Sequence, residues 1–176
     1  MNTINWNLDP SHSEVNFKVK HMMITNVNGK FSQFNLKAST TNENFENPQI
    51  EFRANTATVD TGSEQRDQHL KSADFFDSEH FPELNFVSTS FKKTGNNQYL
   101  LEGKMKIKDV EKPVTFQVEG GGLQKDPWGN LKTGFSIEGK INRKDFGLNW
   151  NAALETGGVL VSEEVKLNAE IQLVKA

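Results

Sequence analysis

The side chains with chemical capacity in this chain are four histidines, His12, His21, His69 and His80, with the carboxylates and guanidinium near them. Cysteine is absent, which excludes thiolate metal sites, cysteine nucleophiles and disulfides together. Asp9, Ser11 and His12 have the residue types of a nucleophilic triad, but they stand too close in sequence to form one by themselves. No Gly-x-Ser-x-Gly elbow is present to expose a serine. His12 and His21 are nine apart, an odd spacing that sets them on opposite faces of a regular strand. No further histidine or carboxylate spacing completes a metal set. Gly120-Gly121-Gly122 lacks the strand–helix context and the lysine of a phosphate cradle. The residues therefore supply no catalytic group, no metal site and no cofactor site. Arg66, Asp67 and His69 are the richest remaining group. Arg66 and His69 are three apart and share a face if their segment is helical. They then either hold a polar head group at a rim or pin a helix to its neighbours.

Charge narrows the partners. Twenty basic and 23 acidic residues are mixed along the chain, for a net charge of −3. That leaves no basic footprint for nucleic acid. No apolar run approaches the roughly 18 residues of a membrane span, so stable insertion is not expected. The first residues show no basic patch followed by an apolar stretch. The expectation is a cytoplasmic protein, or a periplasmic or secreted one if a signal has been removed. Lys104, Lys106 and Lys108 form an outward strand row, either solvated or suited to weak membrane approach. Thirteen Phe against one Tyr and three Trp suggests surfaces that stay dry.

The elements that must position these groups are mostly strands. Alternation with period two runs through Val15-Phe17-Val19, Phe34-Leu36-Ala38, Ile50-Phe52-Ala54 and Leu84-Phe86. It continues through Leu101-Gly103-Met105-Ile107, Val114-Phe116-Val118, Leu131 to Ile141, and Val165 to Leu173. Gly95-Asn96-Asn97 and Asp109–Pro113 read as hairpins, Gly120–Gly122 with Asp126–Asn130 as a longer connection, and Gly157-Gly158 as a turn before the last strand. Roughly eight strands joined by short loops argue for an antiparallel sheet or barrel, in one domain over 1–176. Closure removes exposed edges and so favours the barrel. Thr61-Gly62-Ser63-Glu64 fits a capping box, and a short helix is expected near 63–73. Periodicity alone leaves open whether the interior is solid or hollow. Gly103, Gly139 and Ala169 either leave room inside or only relieve strand curvature.

Read together, several stretches resemble the YceI-like family of polyisoprenoid-binding proteins. They are Trp6 with Leu8–Ser13, Val15-Asn16-Phe17, His21-Met22-Met23, Val27–Phe31, Asp60-Thr61-Gly62, Arg66-Asp67, His69–Phe76, Phe81-Pro82, Phe86, Lys112-Pro113-Val114 and Ile141–Gly147. The resemblance covers nearly the whole chain. It implies an all-β, lipocalin-like antiparallel barrel whose apolar lumen holds a polyisoprenoid, an isoprenoid quinone or a similar long lipid. The protein would then be a carrier, a reservoir or a sequestering protein that does no chemistry. On this reading the lumen is lined by Phe17, Val19, Phe34, Leu36, Phe86, Leu101, Met105, Phe116, Phe135, Ile137, Leu167 and Ile171, with Arg66 and His69 at the rim. Two rivals stand beside it: an enzyme using His69 or His12 as a base on a bound isoprenoid, and a stress-related interaction module with a filled interior. A homodimer is left open.

Overall fold

The computed structural model describes residues 3–152 and 160–176. Gly157-Gly158 lie outside the described residues. Eleven strand segments trace eight strand paths. The first path is β1 (Ile4–Leu8) followed by β2 (Glu14–His21). The second is β3 (Thr25–Phe31) followed by β4 (Phe34–Thr40), and the third is β5 (Gln49–Asn55) followed by β6 (Val59–Asp60). Then come β7 (Glu83–Gly95), β8 (Gln98–Ile107), β9 (Val110–Lys125), β10 (Leu131–Asn142) and β11 (Val161–Lys175). Each path pairs antiparallel with the next, and β11 pairs with both β1 and β2, which closes the barrel.

The first three paths each break once; the first break is stapled to β11 and the other two to each other. Pro10 stops β1, since it has no N–H for the ladder, and Asp9 caps the turn by accepting from Ser11 N at 3.2 Å. The Ser13 hydroxyl donates to Asp9 O at 2.7 Å and accepts from Gln172 N of β11 at 3.0 Å. At the other two breaks, Gln33 N donates to Thr58 Oγ1 at 3.2 Å and Asn55 N donates to Gln33 O at 2.9 Å. Thr56, fully buried, donates to Phe81 O at 2.9 Å. Past these breaks β6 leaves β7 unpaired. The seam is covered by helix α1 (Glu64–Lys71), the loop that follows it, and the segment after β10.

Three local expectations need correction. Gly120-Gly121-Gly122 is not a connection: it lies inside β9, opposite a register shift between Thr133 and Phe135. Gly120 and Gly121 have φ of 123° and 88°, so the triplet is a β-bulge that only glycine makes cheaply. The β8–β9 reversal is made by Lys108-Asp109, and Pro113 sits within β9. The helix cap is Ser63, whose hydroxyl accepts from Arg66 N at 3.3 Å. Thr61 instead binds Asp67, its N–H and its hydroxyl donating to Oδ1 at 2.8 and 2.6 Å.

One end of the barrel is solid. Trp6 is fully buried and donates from Nε1 to Thr40 Oγ1 at 2.9 Å. Phe45, from the β4–β5 loop, lies edge-on to Trp6 with centroids 5.1 Å apart, and 5.2 Å from Phe135. Phe91 and Tyr99 stack at 4.7 Å beside them. These rings form a floor.

Candidate functional site

Above the floor an apolar cavity of about 350 Å³ follows the barrel interior from Phe45 to the opposite end. That size is at the low end of small-molecule sites, roughly 300–1,000 Å³. Eleven of the expected lumen residues stand in its wall: Phe17, Val19, Leu36, Phe86, Leu101, Met105, Phe116, Phe135, Ile137, Leu167 and Ile171. Phe34 does not. It opens β4 at the break between strand segments, where its half-buried ring rests against Phe52 at 6.2 Å instead of reaching the cavity. The wall also includes Phe52, Leu84, Ile107 and Val118, whose alternating rows already mark them as inward-facing, and Phe31 of β3. Phe45 and Trp150 come from irregular segments, where no period announces which way a side chain points.

The glycines of the wall do not create the space directly. A Cβ on Gly29 would lie 2.1 Å from Cζ of Phe17, and one on Gly139 would lie 2.5 Å from Cδ1 of Phe116. A Cβ on Gly103 would meet Phe86 Cζ at 2.5 Å and the Val87 carbonyl at 2.4 Å. Each glycine therefore lets a Phe ring of the neighbouring strand lie against the wall, and such cross-strand aromatic–glycine pairs also repair the strand's lost packing. The axis stays open because the rings fold back onto the glycines.

Most polar groups of the wall gather toward the end opposite the floor, which we call the mouth. Lys20, His21, Thr61, Arg66, His69 and Arg143 are there, Asn16 and Asn168 pair farther down between β2 and β11, and no Asp or Glu is among the described residues of the wall. Helix α1 positions Arg66 and His69 on one side, as their spacing predicts. Arg66 donates from Nε to the Thr61 hydroxyl and from its terminal nitrogen to Thr61 O, both at 2.7 Å. Asp67 holds the same threonine, so the guanidinium is fixed at the helix start. His69 Nε2 lies 2.9 Å from Asp74 Oδ2, and its ring meets Trp150 edge-on at 4.6 Å and Phe75 at 5.1 Å. Phe76 reaches across to Phe31 at 5.7 Å. The helix and its following loop thus form an aromatic cap over part of the mouth.

Arg143 is the mouth residue whose role spacing does not reveal. It is 3% exposed, and its four hydrogen bonds all go to backbone carbonyls. Nε reaches Ser162 O at 2.8 Å, one terminal nitrogen reaches Leu148 O and Trp150 O at 2.6 and 2.8 Å, and the other reaches Val161 O at 3.2 Å. Burial pushes its pKa below the ordinary arginine value, against a smaller opposing pull from Glu163. A single guanidinium therefore ties the segment that carries Trp150 to the start of β11. His12 and His80 sit elsewhere, each 2.9 Å from one local carboxylate, Asp9 and Asp77.

The architecture is that of an eight-stranded antiparallel barrel with a closed floor, an apolar interior and a polar, helix-capped mouth. The chain belongs to the YceI-like domain family, whose profile matches residues 6–173. It is 35% identical over 169 residues to the UPF0312 protein of Staphylococcus aureus strain MSSA476, covering 96% of each chain. Among solved structures it resembles the YCEI protein of Campylobacter jejuni, at 29% identity and a TM-score of 0.77, covering 96% of each chain. It also shares its fold with a polyisoprenoid binding domain from Saccharophagus degradans, at 13% identity and a TM-score of 0.69, covering 97% of this chain and 98% of that one. Among the described residues no helix is long and apolar enough to cross a membrane.

Proposed function

We propose that the barrel holds one long apolar lipid tail, of polyisoprenoid or isoprenoid-quinone type, and carries or stores it without chemistry. The observation that carries this reading is the polarity gradient of the cavity: a largely apolar wall above a sealed floor, with the basic and imidazole groups gathered toward the mouth. A hydrocarbon tail needs area and length, and each buried methylene contributes roughly 0.8 kcal/mol before ordering costs. Two observations favour binding over chemistry: no Ser, Asp or Glu is among the described residues of the wall, and of the two mouth histidines His69 is bonded to Asp74 outside the cavity wall. Family membership favours the same ligand class, and the Saccharophagus degradans domain of like fold is described as polyisoprenoid-binding. Arg66 and His69 act by holding the cap, since both have partners within the helix segment.

Mass spectrometry of an organic extract of gently purified protein tests the reading. A long-chain lipid should appear near one per barrel and should be recovered unchanged after prolonged incubation. A clean extract, together with no uptake of an added polyprenyl lipid by the stripped protein, would overturn it. A chemically altered lipid would point to an enzyme.

A further inference from the structure

The β2–β3 turn is made of Met22, Met23 and Ile24, which are 41%, 56% and 77% exposed. Met22 and Met23 both have left-handed backbone, with φ of 55° and 58°. Tight hairpins normally place Asn or Gly in such positions, because side chains with a Cβ are disfavoured there. A turn that only reversed the chain has no need of three large apolar side chains in water, two of them at left-handed positions. The tip stands at the mouth. Met22 N donates to Leu160 O at 2.7 Å, and Lys20, His21, Leu160 and Val161 around it belong to the cavity wall.

The charge of the hairpin itself has one sign. From Val15 through Asn42 the sequence has four lysines and no Asp or Glu. The hairpin pairs Lys18 with Asn28, Lys20 with Asn26 and Asn16 with Lys30, so Lys18, Lys20 and Lys30 share its outer face. Lys166 of β11 lies directly across from Lys18. Of the nearest acids, two have lysine partners of their own, while Asp60 stands beside Lys30 at the hairpin's far end from the tip. Glu163 is 2.8 Å from Lys144, Glu164 is 4.0 Å from Lys140, and Asp60, across from Lys30, accepts from Gly62 N.

We propose that this hairpin docks the mouth of the barrel onto an anionic lipid bilayer. The three apolar side chains enter the interface while the lysine face meets the head groups. A short apolar tip or a small basic patch alone binds a membrane weakly, whereas the two together give reversible attachment. Docking mouth-first lets a tail pass between bilayer and lumen without crossing water. The cargo part of this inference rests on the lumen reading; the docking itself does not.

The test is co-sedimentation of the full-length protein with phosphatidylcholine vesicles, with and without 30 mol% phosphatidylglycerol (~30%, enough to give an anionic surface). Binding should require the anionic lipid and fall with salt. The variant Met23→Ser with Ile24→Asp should bind about tenfold more weakly, and Lys18→Gln with Lys30→Gln should flatten the salt dependence. Equilibrium uptake of a detergent-dispersed polyprenyl lipid should be unchanged in the tip variant, because neither residue belongs to the cavity wall. No preference for anionic vesicles, or equal binding by the tip variant, would overturn the proposal while leaving the lumen reading intact. So would a concentration-dependent dimer lost in the tip variant without vesicle binding, which would assign the tip to a second copy of this chain.

Discussion

The two ends of the barrel are built from the same strands by opposite means. At the floor side chains meet as rings, with Phe45 against Trp6 and Phe135. At the mouth charged side chains tie irregular segments together: Arg143 satisfies four carbonyls, and Arg66 and Asp67 share Thr61. An end sealed by dispersion and burial is rigid and dry. An end held by a few directional bonds can let one component move while the rest stays in place.

The largest effect should come from the floor. Phe45→Ala should destabilise the protein by about 3–5 kcal/mol in urea unfolding, since a buried ring is removed from a packed cluster. A loss below about 1 kcal/mol would mean that the floor is not the anchor described. At the mouth, Arg143→Met should cost about 3 kcal/mol, because it leaves four carbonyls without their donor. Arg143→Lys should recover less than half of this, since one ammonium cannot span the positions that the guanidinium fork reaches. Full recovery by lysine would show that charge, not geometry, is what matters there.

Where the floor meets the lumen, Phe135→Trp should cost about 1–3 kcal/mol by overpacking. It should reduce polyprenyl-lipid uptake more than it reduces stability, as paired melting and uptake curves would show. Arg66→Ala with His69→Ala should change stability little and speed release of a fluorescent polyene lipid, with equilibrium binding nearly unchanged. An affinity loss of roughly 1.5–3 kcal/mol per charged hydrogen bond would instead assign these groups to a head-group site.

The smallest effect is electrostatic. The hydrogen bond that His80 donates to Asp77, and the charge of that carboxylate, hold the His80 pKa above the ordinary value. A pKa raised in the folded state gives a stabilisation that is complete below the unfolded pKa of about 6.5 and is lost as pH rises through the folded value. Asp77→Asn should bring the His80 NMR titration back toward the ordinary histidine value and remove that part of the pH dependence above pH 6. An unchanged titration would mean that the pair is not formed in solution.

The sequence makes the barrel wall legible, because inward and outward residues alternate wherever strands are regular. It fails where the chain leaves the period. Phe34 shares the parity of Leu36 but begins its strand at a break, so parity does not carry it into the cavity. The Gly120–Gly122 triplet has turn composition, yet sixteen-residue β9 absorbs it as a bulge, since pairing on both sides outweighs local preference. Phe45 and Arg143 could not be placed from spacing at all. One seals the floor from a loop and the other braces the mouth from a turn, and only tertiary packing decides both. Arg66 and His69 were legible as a pair because helical spacing fixes their shared face.

The central claim is that a lipid tail occupies the interior between these two ends. The four methionines offer a direct test, because Met105 stands in the cavity wall while Met22 and Met23 stand exposed at the mouth. In a methyl-labelled sample titrated with a single-tailed polyprenyl lipid in detergent, the Met105 resonance should shift and saturate at one lipid per barrel. An unmoved Met105 resonance, with shifts confined to Met22 and Met23, would place the lipid on the surface and contradict the account.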